Sequence, residues 1–343
     1  MSSQLEGAVS WEGSMLGLFY KQLFVSPRPI PPETSLANKT AIITGANTGI
    51  GFEAARQLLQ LGLSQLIVAV RSEAKGQAAC EKLRKEFPAA DIQVSLVDMA
   101  DYDSVTSFAD RCRSLARIDY VILNAGTQNS AYQLNESTGH EAVLQINYLS
   151  TALLLMLLAS VIVEKKKQHN TDHRSVITVV GSDTMYLSTL YTPGPILPYL
   201  DDATRFVKMQ QYMDSKLLVM MFIAQLAGQV NPRDVVINVC NPGMTAGTGL
   251  GPGPSFVERY IVPAFYKALG RSTAAGASIY VHALVAEGEE SHGSFVSDWT
   301  IKSYAALMYK EEGKSFMERL WQETMEELRF VSSPGFDGLF ARV

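Results

Sequence analysis

The chain has 343 residues, 47% hydrophobic and 18% charged, enough for one large domain or two small ones with a packed core. Its formal net charge of −5 argues against nonspecific nucleic-acid binding. Cys80, Cys112 and Cys240 lie far apart with no C-x-x-C pair, which excludes a disulfide scaffold and reads as free thiols in a reducing, cytoplasmic setting.

In chain order, Met1–Ser14 is polar and lacks the apolar core of a signal peptide. Residues 1–37 carry Trp11, Phe19, Tyr20 and Phe24, then a proline-rich stretch, SPRPIPPE. They read as an arm packed on the body, with peripheral membrane contact or a substrate-pocket element as the alternatives. Thr40–Thr44 then reads as a buried strand and 52–61 as a helix. Between them stands TGANTGIG, residues 44–51. Glycines at 45, 49 and 51 let the main chain turn sharply and approach a pyrophosphate, while the following helix points its N–H groups and positive end at it. The loop is therefore read as a dinucleotide site, with Gly45, Asn47, Thr48, Gly49, Ile50 and Gly51 as its contacts. The G-x-x-x-G-x-G spacing differs from the commoner G-x-G-x-x-G.

Further strands are expected at Gln65–Val70, Ile92–Val97, Tyr120–Leu123, Val176–Val180 and Val235–Val239, with a weaker seventh at Ser294–Val296. They are Val/Ile/Leu-rich without alternation, as strands covered on both faces should be. Helices are expected near 73–87, 102–116, 137–165, 208–229 and 272–287. The alternation implies an α/β fold of the Rossmann type: a doubly wound, mostly seven-stranded parallel sheet with helices on both faces. One domain spans 38–330, with an insert at 183–209, a loop at 245–270 and a tail at 331–343. The run Ile146–Val163, followed by three lysines, resembles a membrane span, but its length, its polar start and its place in the alternation favour a buried helix. His169 and His173 lie four apart in a polar stretch, and no metal is expected.

Ligands bind such sheets beyond the carboxyl ends of the strands. Arg71 follows the second strand, where a basic residue suits the 2′-phosphate of NADP(H), with Lys75 a weaker second. Asp98 and Met99 follow the third and are placed to meet an adenine ring. Asn124-Ala125-Gly126 follows the fourth: small residues let the chain pass beside a cofactor, and Asn124 ties strand ends together. Ser182 follows the fifth. Tyr212 and Lys216, at i and i+4, share a helix face. An ammonium beside a phenol lowers its pKa and fits it for proton transfer with a carbonyl or alcohol oxygen.

The ordered set TGANTGIG, NAG, Asn147, Ser182, YMDSK and Asn241-Pro242-Gly243 resembles the short-chain dehydrogenase/reductase superfamily over about residues 38–330. The tail and arm look like its retinol-dehydrogenase-like branch, and within it the chain is similar to reductases of fungal secondary-metabolite pathways. The resemblance implies that Tyr212 is the acid/base and that Lys216 lowers its pKa and binds the nicotinamide ribose. It further implies that Ser182 holds the substrate oxygen and Asn147 supports a water-linked proton relay. Pro242, Gly243 and Thr245 would contact the carboxamide and phosphates. Ser182 and Tyr212 are 30 positions apart, longer than in short members, so the pocket wall at 183–209 is particular to this chain. Thr245–Ser255 resembles the family's substrate loop, and Phe256, Tyr260, Phe265 and Tyr266 would line an apolar pocket or a helix core. The expected activity is NADP(H)-dependent interconversion of a ketone and a secondary alcohol on a small apolar substrate. A non-redox isomerase, epimerase or dehydratase is the alternative, and an NADP-binding sensor the third reading. The apolar helix 146–163 would suit a homodimer interface.

Overall fold

A computed structural model describes residues 1–169, 174–246, 267 and 269–331. Eight strands form one sheet: β1 Thr40–Thr44, β2 Gln65–Val70, β3 Asp91–Leu96, β4 Tyr120–Leu123, β5 Ser175–Val180, β6 Val235–Asn241, β7 Phe295–Ser297 and β8 Thr300–Lys302. Their order is β3-β2-β1-β4-β5-β6-β7-β8, parallel from β3 to β7, with β8 antiparallel to β7. The doubly wound sheet is thus as expected, with an eighth strand added. Asp298 and Trp299 form the turn between β7 and β8, both at positive φ (53° and 55°), the conformation of a tight two-residue hairpin. Trp299 is wholly buried there, which holds a large side chain in a backbone region it rarely adopts.

Two apolar layers cover the sheet. Helices Gly49–Gln60, Glu73–Glu86 and Thr273–Val285 pack on one face, and Tyr102–Cys112, Ser150–His169 and Lys208–Ala227 on the other. The apolar stretch Ala142–Gln168 is 89% buried over its most hydrophobic window, so it serves as a core helix. The helix Glu311–Glu327 meets its first turns through Tyr148 Oη, 2.5 Å from Thr324 Oγ1, and packs on the neighbouring helix Lys208–Ala227, where Trp321 stacks on Phe222 at 5.1 Å between ring centres. Residues 145–149 depart from the expected regular helix and form one turn of π-helix.

The N-terminal arm is bonded into the far edge of the sheet. Ser2 N–H donates to Ser294 Oγ at 3.1 Å, and Phe295 N–H donates to Ser2 Oγ at 2.9 Å. The buried Glu12 carboxylate accepts from Ser303 N–H and Oγ–H, both at 2.8 Å. Helix Met15–Phe24 keeps Gly17 and Lys21 inside while Leu16, Phe19, Tyr20, Leu23 and Phe24 are exposed.

Candidate active site

The carboxyl ends of β1 and β4 meet where the strand order reverses, the switch point at which such sheets bind ligands. Thr44 Oγ1 accepts from Asn124 N–H and Ala125 N–H, each at 2.9 Å, and Asn124 Nδ2 donates to Thr44 O at 2.9 Å. Asn124 thus ties the two strand ends together. Gly45 and Gly49 sit at positive φ (68° and 61°), which turns the loop into the helix Gly49–Gln60. A Cβ on Gly51 would stand 2.6 Å from Asn124 Nδ2 and 2.9 Å from Gly45 O, so only glycine lets helix and loop close. A Cβ on Gly49 would meet nothing within 4 Å, so there is open room over the loop. Thr48 makes no side-chain cap, and among the described residues the first-turn N–H groups have no side-chain acceptor, the condition of a helix end that takes an anion. The loop residues Asn47, Thr48 and Ile50 stand at this same end, and the site fits a dinucleotide.

Arg71 lies just past β2, beside β1, exposed and without a hydrogen bond or ion pair among the described residues. Asp98 Oδ1 accepts from Ala100 N–H at 3.0 Å and its own N–H donates to Ser104 Oγ at 2.9 Å, which fixes the turn after β3. Met99 is buried beneath that turn.

The second half of the site gathers around Gly126. A Cβ there would lie 3.2 Å from Asn147 Oδ1 and 3.8 Å from Lys216 Nζ, so the two groups converge on this glycine. Asn147 sits in the π turn and clamps the chain after β4, accepting from Thr127 N–H at 2.8 Å and donating to Thr127 O at 2.9 Å. Its amide also donates to Ser215 Oγ at 3.1 Å. An irregular turn of this kind re-aims one side chain out of a buried helix, a frequent device at functional sites.

Lys216 is buried, donates to Val180 O at 2.8 Å and stands 5.6 Å from the centre of the Tyr212 ring. Burial pulls its pKa down to about 8, against a small opposing pull from Cys240. Tyr212 is half-buried at the mouth of the same helix. Ser182 is buried and accepts from Thr184 Oγ1–H at 2.9 Å and Thr184 N–H at 3.2 Å, which leaves its own hydroxyl hydrogen to donate elsewhere. It caps the short turn Asp183–Leu187, which packs against the helix carrying Tyr212 and Lys216.

Gly243 and Thr245 follow β6. Gly243 is at positive φ (71°) and donates to Asn241 Oδ1 at 3.1 Å, while Thr245 pairs by its backbone with Arg271. Pro242 O accepts from Thr245 Oγ1 at 3.3 Å. Phe256, Tyr260, Phe265 and Tyr266, expected to line an apolar pocket or a helix core, lie outside the described residues, as does His173. Among the described residues no His, Cys, Asp and Glu cluster could hold a metal ion.

Sequence reasoning passed over Thr127 and Ser215, whose partners are distant in the chain, and over Gln22 and Arg271, which reach the segment after β6. Ser215 lies inside YMDSK, but no motif marks Thr127, Gln22 or Arg271.

A family model described as short chain dehydrogenase matches residues 39–186. Among curated proteins, the chain is 49% identical over 333 residues to short chain dehydrogenase virL of Hypocrea virens, covering 97% of each. It is 42% identical over 321 residues to short chain dehydrogenase/reductase mfmJ of Annulohypoxylon moriforme, covering 92% of each. Among solved structures, a short chain dehydrogenase from Shigella flexneri complexed with NADP superposes with a TM-score of 0.59 at 18% identity, covering 78% of this chain and all of that one. An NADPH-dependent 3-quinuclidinone reductase from Rhodotorula rubra gives 0.56 at 20% identity, covering 82% and 98%.

Proposed function

The chain belongs to the short-chain dehydrogenase/reductase family, and on that premise we propose that it is an NADP(H)-dependent oxidoreductase interconverting a ketone and a secondary alcohol. One observation carries the reading: the buried Lys216 ammonium lies against the Tyr212 ring and converges with Asn147 on Gly126.

The cofactor, when bound, supplies or accepts hydride at nicotinamide C4. Its pyrophosphate would be held by Gly45, Asn47, Thr48, Gly49, Ile50 and Gly51. Asp98 and Met99 would meet the adenine, and Asn124, Ala125 and Gly126 would border the ribose. Arg71 would pair with the 2′-phosphate; its exposure and lack of a partner support this, as do the structural neighbours named with NADP or NADPH. Pro242, Gly243 and Thr245 would meet the nicotinamide end.

Ser182 donates its free hydroxyl hydrogen to the substrate oxygen and fixes it beside Tyr212. Tyr212 gives its phenolic proton to that oxygen as the carbonyl is reduced, and takes one back in the reverse direction. Lys216 stabilises the phenolate, because a like-placed positive charge favours the ionised form. Asn147 holds the Thr127 main chain and supports proton resupply to Lys216. Val207 and Met209, exposed just ahead of Tyr212, support an apolar substrate. The relatives in Hypocrea and Annulohypoxylon, named as short chain dehydrogenases, support an oxidoreductase.

Replacing Tyr212 by Phe should cut NADPH-dependent ketone turnover by about a hundredfold or more, while NADPH affinity stays near wild type. Undiminished turnover in Y212F would refute the mechanism, and product formed with no net change in nicotinamide would point to non-redox chemistry.

A further inference from the structure

The arm helix Met15–Phe24 does more than pack on the sheet edge, because one of its side chains is bonded into the segment after β6. Gln22 Nε2 donates to Met244 O at 2.8 Å and to Leu269 O at 3.0 Å, and Gln22 Oε1 accepts from Met244 N–H at 3.1 Å. Met244 flanks a single parallel bridge, Thr245 with Arg271, and Leu269 ends the helical turn just before it: Arg271 N–H donates to Met244 O at 2.8 Å, and Ala246 N–H to Arg271 O at 2.9 Å. One primary amide thus occupies a donor and an acceptor of Met244 together with the carbonyl of Leu269. The neighbouring Lys21 O accepts from Arg271 Nη2 at 2.9 Å, so the arm's main chain holds the same segment. The fit leaves no spare volume. A Cβ on Gly243 would stand 2.8 Å from Arg271 Nη1 and 3.0 Å from Gln22 Oε1. Arg271 itself is buried, ion-paired with Asp298 and set over the Trp299 ring at 5.0 Å.

We propose that Gln22 is a positioning residue for the cofactor site: it fixes the main chain at Gly243–Thr245, and so makes the N-terminal arm part of the nicotinamide end. The proposal rests on the reading above, in which Pro242, Gly243 and Thr245 meet that end. It follows from hydrogen-bond chemistry. Only a side chain offering both an N–H and a C=O can serve Met244 on both sides. Alanine removes all three bonds. Glutamate keeps the acceptor for Met244 N–H but turns a carboxylate onto two carbonyl oxygens, so it fails as badly. The adenine end, built by residues 45–51, Arg71 and Asp98, is untouched by either change.

The test measures, by titration calorimetry, the affinity of wild type, Gln22→Ala and Gln22→Glu for NADP+ and for adenosine 2′,5′-bisphosphate, which fills only the adenine half. Both variants should bind NADP+ about tenfold more weakly, as expected for losing two or three modest hydrogen bonds that hold the main chain at the nicotinamide end. Both should bind the bisphosphate within about twofold of wild type, which also shows that they are folded. Equal NADP+ affinity in wild type and Gln22→Ala overturns the proposal and leaves the functional reading standing. Equal weakening of both ligands also overturns it, since that marks a merely structural loss. Wild type that binds neither ligand refutes the functional reading itself, and the proposal with it.

Discussion

Lys216 carries the tension between stability and chemistry at the scale of one residue. Its ammonium is buried and donates to Val180 O, and burial lowers its pKa from 10.5 to about 8. A folded pKa below the unfolded one means that the contribution is present above about pH 10.5 and is lost as pH falls through about 8. At neutral pH the charged lysine therefore costs stability that an apolar residue would not. In the ligand-free protein, denaturant unfolding should show wild type gaining about 2–3 kcal/mol relative to K216M between pH 7 and pH 10. A difference that stays flat with pH would show that the ammonium is well solvated. Tyr212 and Lys216 were legible as a pair because spacing on a helix is a local property. Lys216's acceptor at the end of β5 and the clamp of Asn147 on Thr127 were not, because both depend on which strand end arrives beside them.

Among the elements, the strands were legible where burial on both faces leaves an unbroken apolar run, as in β1, β2 and β4. β3 begins one residue before its apolar run, at Asp91, whose side chain is exposed. β8 was missed because Thr300–Lys302 is short and half-buried, and its turn is built from Asp298 and Trp299 without the glycine that marks most such hairpins. The π turn at 145–149 leaves no mark in apolar periodicity. The helix Glu311–Glu327 has the largest consequence. Glu323 caps the insert helix through Ile196 N–H and Leu197 N–H at 2.8–2.9 Å, and Trp321 covers Phe222 with nearly parallel rings, 18° apart. Trp321→Ala should lower unfolding free energy by about 2–3 kcal/mol, toward the low end for a buried aromatic because this one is only half-buried. A urea midpoint unchanged from wild type would show that the helix is held by its other contacts.

Across the whole molecule, His140 joins three parts of the chain: the segment after β4, the insert and the C-terminal helix. Its Nδ1 lies 2.8 Å from Asp201 Oδ2 and its Nε2 3.2 Å from Glu327 Oε1. Burial alone would lower its pKa, but the hydrogen bonds and charges of Asp201 and Glu327 prevail and raise it to about 9. Glu327 moves the opposite way: burial would raise it, but the His140 hydrogen bond and charge hold it below the usual glutamate value. A folded pKa above the unfolded 6.5 gives stability that is fully present below about pH 6.5 and lost as pH rises through about 9. Thermal melts of wild type and His140→Asn should therefore converge between pH 6.5 and pH 9.5, with wild type the more stable at the acid end. Parallel curves would mean that the imidazole is neutral in the fold and the junction does not depend on its charge.

The central claim joins the loop at 44–51 to Tyr212 in one reaction on one substrate carbon. It is tested most directly by supplying NADPH deuterated at the transferring nicotinamide C4 position to wild type and Tyr212→Phe, over a panel of apolar ketones, and reading the alcohol product by mass spectrometry. The account predicts deuterium on the carbinol carbon with wild type and almost no product with Tyr212→Phe. Unlabelled product from wild type, or labelled product formed at the wild-type rate by Tyr212→Phe, would contradict it.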